Sequence, residues 1–275
     1  MTVGVVGLGL IGGSFAKAYS KAGHTVLGAD IDKSNLKYAI LSGAVSGELK
    51  NKLLGECDLI LLCTYPGAAI KYMEKNGALM GEKPIVIDCC GTKRAVVQAG
   101  MKLAEKFGFK YAGGHPMAGN RYSGFKYSKD TMFHDAPMVI IPPRYDDIAF
   151  LDKIKDLLKP AGFSQITVTT AEKHDEIIAY TSQLAHIVSS AYIKSPASRE
   201  HKGISAGSYK DMTRVALLNP VMWAELFLDN RDNLIKEIDV LLSNLTEYRN
   251  VLEKRDKDNL IQMLEKGRQM KEEAD

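Results

Sequence analysis

Through the first 170 residues, short apolar runs alternate with longer stretches whose apolar residues recur three or four positions apart. Strands are predicted from Val3, at Thr25–Ala29, at 58–64, at Ile85–Asp88, near 110–114, at 138–141 and at 165–169. Helices are predicted through Phe15, Ala18 and Tyr19, from about Pro66 to Met80, from about Lys93 to Phe107, and through Ile148, Leu151, Ile154, Leu157 and Leu158. Pro66 falls where a first helical turn tolerates it. Strands that are apolar on both sides must be covered on both sides, so the alternation predicts a doubly wound parallel sheet between two helical layers.

The pattern changes near Thr170. From Ala171 to about Ile193 one long helical period runs without a following strand, and residues 220–254 are helical again. There Leu234, Ile238, Leu241, Leu245, Tyr248 and Leu252 are spaced 4, 3, 4, 3, 4, the 3.5-residue period of helices packed at a shallow angle. Such a seam is either the core of an intramolecular bundle or a subunit interface. So short a helical domain has little mass to cover a seam that long. Two domains are expected, 1–170 and 171–275.

The first strand runs into Gly7-x-Gly9-x-x-Gly12 and then into a helix. Gly7 serves the tight turn, Gly9 lets the backbone approach a pyrophosphate, and Gly12 allows close helix–strand packing. The helix start at Leu10 and Ile11 offers unpaired amides and the positive end of the helix dipole to phosphate. Asp30 ends the second strand, 18 residues beyond Gly12, where a carboxylate accepts from both ribose hydroxyls and repels a 2′-phosphate. NAD is therefore expected rather than NADP, with Thr64 at the carboxyl end of a neighbouring strand as a further contact. The fold class is α/β: an N-terminal Rossmann-type doubly wound parallel sheet followed by an all-α C-terminal domain, a dimerisation domain if the seam is a subunit interface.

Composition removes other classes. The 275 residues carry a net charge of +3, with 45% hydrophobic and 25% charged residues, the mix of an ordinary soluble globular protein. No basic block points to nucleic acid, and no run approaches the ~20 apolar residues that span a bilayer. The glycine-rich opening lacks a basic leader and reads as strand and turn rather than signal peptide. The cysteines at 57, 63, 89 and 90 have no metal-ligand spacing and read as packed thiols. A cytoplasmic protein without a metal is expected.

His115 follows the fifth strand within Gly113-Gly-His-Pro-Met-Ala-Gly119, on the ligand side of the sheet. A residue before proline is held extended, so His115 is aimed, and an imidazole with a usual pKa of ~6.5 suits a general base. His24 and His134 have no such setting. On the first long helix, His174 and His186 lie ~18 Å apart along the axis and cannot share a metal. Ser182 and His186 are i, i+4 neighbours able to face a ligand together. Asp211 and Arg214, at i, i+3, form either a surface ion pair or an Asp-oriented guanidinium aimed at a substrate carboxylate.

With these residues in place, the chain resembles the monofunctional prephenate dehydrogenase family over essentially its whole length. The likeness rests on Gly7–Gly13, Asp88-x-x-x-Thr-Lys93, His115-Pro-Met-Ala-Gly119, His174-Asp-x(6)-Ser182-x-Leu-x-His186, and Asp211-Met-Thr-Arg214 followed by Pro220-x-Met-Trp223. It implies NAD-dependent oxidative decarboxylation of prephenate to 4-hydroxyphenylpyruvate in tyrosine biosynthesis, by a homodimer joined through the helical domain. By the same resemblance His115 is the base, His186 and Arg214 bind substrate, and Trp223 packs. Three departures stand out. Gly91 occupies a position usually held by Ser, leaving Thr92 or another residue to supply a hydroxyl; Gln183 replaces a frequent His; and Arg121 stands where relatives place an acid. A cation at Arg121 would favour prephenate over arogenate, whose side chain carries an additional ammonium. The alternatives are an arogenate dehydrogenase, a 3-hydroxy-acid dehydrogenase, which would need a Lys–Asn pair absent from the first long helix, and a non-catalytic NADH sensor.

Overall fold

Strand β1 (Thr2–Val6) sends Val3 and Val5 to one face of the sheet and Val6 to the other, and all three are buried. The computed structural model describes residues 1–120 and 122–274. After β1 come α1 (Leu10–Lys21), β2 (Thr25–Ala29), α2 (Lys33–Leu41), β3 (Gly47–Glu48), β4 (Leu59–Leu62), α3 (Pro66–Met80), β5 (Ile85–Asp88), α4 (Arg94–Phe107), β6 (Lys110–Pro116), β7 (Pro137–Ile141), α5 (Ile148–Leu158) and β8 (Gln165–Val168). The sheet order is β3-β2-β1-β4-β5-β6-β7-β8. Leu59 and Leu61 of β4 face the side covered by α1 and α5; Ile60 and Leu62 face the side covered by α3 and α4. Burial on both faces is why these strands lack polar alternation.

The sheet is not wholly parallel. β6 pairs with β7 antiparallel, Gly113 opposite Ile141 and His115 opposite Val139, and the other pairs are parallel. The parallel expectation holds for those other pairs and not for this one. An apolar run carries no information about direction, and the loop between β6 and β7 turns the chain back without a crossover helix.

The helical part contains α6 (Ala171–Ile178), a π-helical turn (Ala179–Leu184), α7 (Ala185–Tyr192), α8 (Gly207–Thr213), α9 (Pro220–Asp229), α10 (Arg231–Lys254) and α11 (Lys257–Ala274). The expected helix over 220–254 is broken at the buried Asn230, which turns α9 into α10. Along α10, Leu234 is 4% exposed, but Leu245 is 54% and Leu252 60% exposed, and α11 exposes Ile261, Leu264 and Met270. An apolar stripe left open at this scale marks an interaction face.

Candidate functional site

Strand order reverses between β1 and β4, which opens a crevice at the carboxyl ends of the strands. Helices α1, α3 and α4 start beside it, and the amides at their starts need partners. At α1 the cap residue Gly9 supplies no side-chain bond, and a Cβ added there would meet nothing within 4 Å. A Cβ on Gly12 would lie 1.8 Å from the Gly7 carbonyl, so the close packing that brings this helix start to the crevice requires glycine. Thr64 lies against Gly7. Asp30 accepts from the Leu8 amide at 2.6 Å and from the Asp32 amide at 2.8 Å. A carboxylate has about four lone-pair sites, so two remain for ribose hydroxyls. Open space before an uncapped helix, with a fixed carboxylate at the next strand end, fits a dinucleotide.

The other two helix starts are capped by the helical domain. Glu225 of α9 accepts from the Gly67 amide of α3 at 3.0 Å. Asp175 of α6 accepts from the Lys93 amide at 2.8 Å and the Arg94 amide at 2.9 Å, at the start of α4. Part of the seam between the domains is thus made of carboxylates set on helix N-termini, which favour negative charge.

Asp175 also orients the candidate base. His174 Nδ1 lies 2.8 Å from Asp175 Oδ1, and His174 Nε2 lies 2.8 Å from His115 Nδ1. Burial by itself would raise the Asp175 pKa, but the bonds from His174 and the two amides outweigh it and hold the carboxyl below its usual range. An ionised carboxylate only accepts, so His174 carries its hydrogen on Nδ1 and accepts at Nε2. His115 must then donate from Nδ1, which leaves its Nε2 as the nitrogen with a free lone pair. Burial first, then His174 and Lys93, keep the His115 pKa well below the usual histidine value. His174 is lowered by burial, against the opposing pull of Asp175. The result is an imidazole held toward its neutral form with its tautomer chosen for it.

Behind this chain Lys93, fully buried, pairs with the equally buried Asp88 and donates to the Gly114 carbonyl. Tyr111 donates to the other Asp88 oxygen at 2.7 Å. The loop beyond His115 returns over α1, where Lys17 Nζ donates to the Ser128 carbonyl at 2.8 Å and sits 4.7 Å above the Phe125 ring.

The remaining candidates divide. His186 stacks on Trp223 with centroids 3.8 Å apart and donates from Nδ1 to the Ser182 carbonyl at 2.9 Å, so its Nε2 is free to accept. Ser182 thus meets His186 through its backbone. Burial lowers the His186 pKa, the Ser182 bond opposes this, and the Arg214 charge lowers it further. Among the described residues no ion pair within 4.0 Å joins Asp211 to Arg214. Thr92 is buried, and its hydroxyl donates to Asp229 at 3.3 Å. A Cβ on Gly91 would come within 3.3 Å of two Leu226 carbons, so Leu226 fills the space a Ser would take. Gln183 is a buried link, donating to the Leu226 carbonyl and accepting from Asn230. Burial pushes the Cys89 and Cys90 thiols up. Arg121 lies outside the described residues. His174 and Asp175 as partners of His115 were missed from sequence, although the adjacent pair opening a helix after Thr170 was a usable signal.

Residues 15–167 match the family described as prephenate dehydrogenase, nucleotide-binding domain, and residues 170–266 the family described as prephenate dehydrogenase, dimerization domain. The chain is 28% identical over 271 residues to the prephenate dehydrogenase of Bacillus subtilis strain 168, covering 94% of this chain and 72% of that protein. A prephenate dehydrogenase from A. aeolicus, solved in complex with hydroxyphenyl propionate and NAD+, superposes with a TM-score of 0.85 at 25% identity, covering 100% of this chain and 98% of the other. The arogenate dehydrogenase of Synechocystis superposes with a TM-score of 0.83 at 26% identity, with both chains fully covered.

Proposed function

Because the chain belongs to the prephenate dehydrogenase family, we propose that it oxidatively decarboxylates prephenate to 4-hydroxyphenylpyruvate and carbon dioxide with NAD, using His115 as the base. The observation that carries the role of His115 is its hydrogen-bonded chain to His174 and Asp175, which leaves Nε2 unprotonated at the ligand edge of the sheet. NAD, when bound, supplies the acceptor for the hydride. Gly7, Gly9, Gly12 and the amides of Leu10 and Ile11 hold its pyrophosphate, Asp30 its ribose, and Thr64 lines the same edge.

His115 Nε2 takes the proton of the ring hydroxyl as the hydride departs from the same carbon. The positive charge gained is shared toward His174, where Asp175 offsets it at hydrogen-bond distance. Loss of the ring carboxylate as carbon dioxide then makes the ring an aromatic phenolate, and His115 Nε2 returns its proton to that oxygen. Arg214 and His186 hold the substrate, the guanidinium against a carboxylate and His186 fixed on Trp223. Ser182 positions His186, and Thr92 and Asp211 contribute to the walls of the cleft. Arg121, placed by sequence alone, disfavours the ammonium of arogenate.

Residues 1–170 form the nucleotide-binding domain and 171–275 the substrate-binding and dimerisation domain. The exposed apolar faces of α10 and α11 pair with a second copy. Among the described residues no helix is long and apolar enough to cross a membrane; a cytoplasmic location belongs to the same proposal, as the setting of a biosynthetic enzyme of this family. NADH formation with prephenate, arogenate and a 3-hydroxy acid, compared side by side, tests the substrate. Prephenate turning over fastest at equal low concentration supports the assignment; faster arogenate turnover reverses it; no turnover with any of them leaves a sensor.

A further inference from the structure

We propose that Arg94 is a positioning residue that ties the start of α10, the helix carrying the exposed seam, to the catalytic base. This deepens the role given to His115 and rests on it. Arg94 opens α4, and its backbone amide donates to Asp175 Oδ2 at 2.9 Å. Its side chain returns to the same oxygen, Nε lying 3.4 Å away. The far edge of the guanidinium grips Asp232 in the first turn of α10 with two bonds, Nη1 at 2.8 Å and Nη2 at 2.5 Å, and Nη2 donates to Asn230 at 3.0 Å.

Asn230 is fully buried at the α9–α10 junction and donates to the Asp175 carbonyl at 2.7 Å and to Gln183 at 2.8 Å. One planar cation therefore holds the carboxylate that selects the His174 tautomer together with both residues that set the start of α10. An exposed ion pair contributes little to stability. Here the side chain of Arg94 is 31% exposed and touches two buried groups, so its effect is on the geometry and charge of the site rather than on stability. Arginine supplies a rigid fork for this, which lysine cannot reproduce.

The charges around the His115–His174 pair are Asp175 on α6, Arg94 and Lys93 at the start of α4, Asp88 at the end of β5, and Asp229 and Asp232 at the α9–α10 junction. Removing the Arg94 charge leaves Asp175 freer to stabilise an imidazolium, so the pair should titrate at higher pH. Removing Asp232 should act in the opposite sense.

The test compares Arg94→Gln, Arg94→Lys, Asp232→Asn and His115→Asn by kcat, KM and the pH dependence of kcat, with NAD binding followed by fluorescence. Arg94→Gln is expected to lower kcat about tenfold, leave KM for NAD within about twofold, and move the acidic limb up by about half a pH unit. Arg94→Lys should return the limb toward wild type while recovering kcat only in part. Asp232→Asn should lower kcat by about threefold and move the limb down. An Arg94→Gln enzyme with wild-type kcat and limb overturns the proposal, as does a fall in kcat with an unmoved limb. Should Arg94→Gln not fold, Asp232→Asn decides: a lowered kcat with a lowered limb supports the tie, and unchanged values overturn it. A His115→Asn enzyme that kept its rate would overturn the base itself, a different failure from that of Arg94.

Discussion

His115 and His174 come from different domains, one from β6 and one from α6, and their rings meet edge to face with centroids 5.1 Å apart and nitrogens 2.8 Å apart. If His115 is the base, as proposed, it is complete only when the seam between the domains is closed. Asp175 closes it, because the same carboxylate that holds His174 also caps α4.

Asp175→Asn should therefore be severe. An amide can present its NH2 to His174 Nδ1, which reverses both tautomers and puts a proton on His115 Nε2. A fall in kcat of about 10²–10⁴-fold is expected with NAD affinity little changed, measured by steady-state kinetics and cofactor titration. A near-normal kcat would mean the tautomer is not set from Asp175.

Much of this was legible in the sequence, and the rest failed for identifiable reasons. Gly7, Gly9, Gly12 and Asp30 lie within one local β-α-β unit, so their spacing alone was enough to expect the turn, the helix start and the strand end found there. The helix Pro66–Met80 and the strand Ile85–Asp88 have strong boundary residues and were found at those limits. The direction of β7 was not legible, because apolar runs look alike in either sense. The link from His115 to His174 spans 59 residues and depends on how two domains dock. Helix α2 was missed because Lys33–Leu41 buries only Leu36 and Ala39. Helix α11 was missed because among its described residues none is buried within one chain.

On the proposed reading, Asp30 sets the cofactor preference. NAD should exceed NADP by at least about tenfold in kcat/KM, ~1.4 kcal/mol, and Asp30→Ser should narrow the gap mainly through KM for the cofactor. Equal use of both cofactors by the wild type would remove Asp30 from the ribose site.

Arg214→Ala should raise KM for prephenate by a factor corresponding to ~2–3 kcal/mol, and Arg214→Lys should recover only part of it because the fork is lost. Initial rates across substrate concentration measure both. An unchanged KM would place Arg214 outside the substrate site.

Lys93 tests the support beneath the site. With both side chains fully buried, Lys93→Met leaves Asp88 charged and short of a partner, at a cost of ~3–5 kcal/mol. Tyr111→Phe, which removes only a hydrogen bond to the same carboxylate, should cost about 1.5–3 kcal/mol. Urea unfolding of the two variants ranks them, and a Lys93→Met protein as stable as wild type would show the pair to be dispensable.

The most direct measurement is the pH dependence of kcat/KM for prephenate in the wild type and in His115→Asn. Burial, His174 and Lys93 lower the His115 pKa, so the neutral, proton-accepting form persists into mildly acidic solution. The wild-type rate should rise with pH through a midpoint below ~6.5 and then level off, and His115→Asn should lose that limb together with about 10²–10⁴-fold in kcat. A His115→Asn enzyme that kept both the limb and most of its rate would contradict the assignment of His115 as the base.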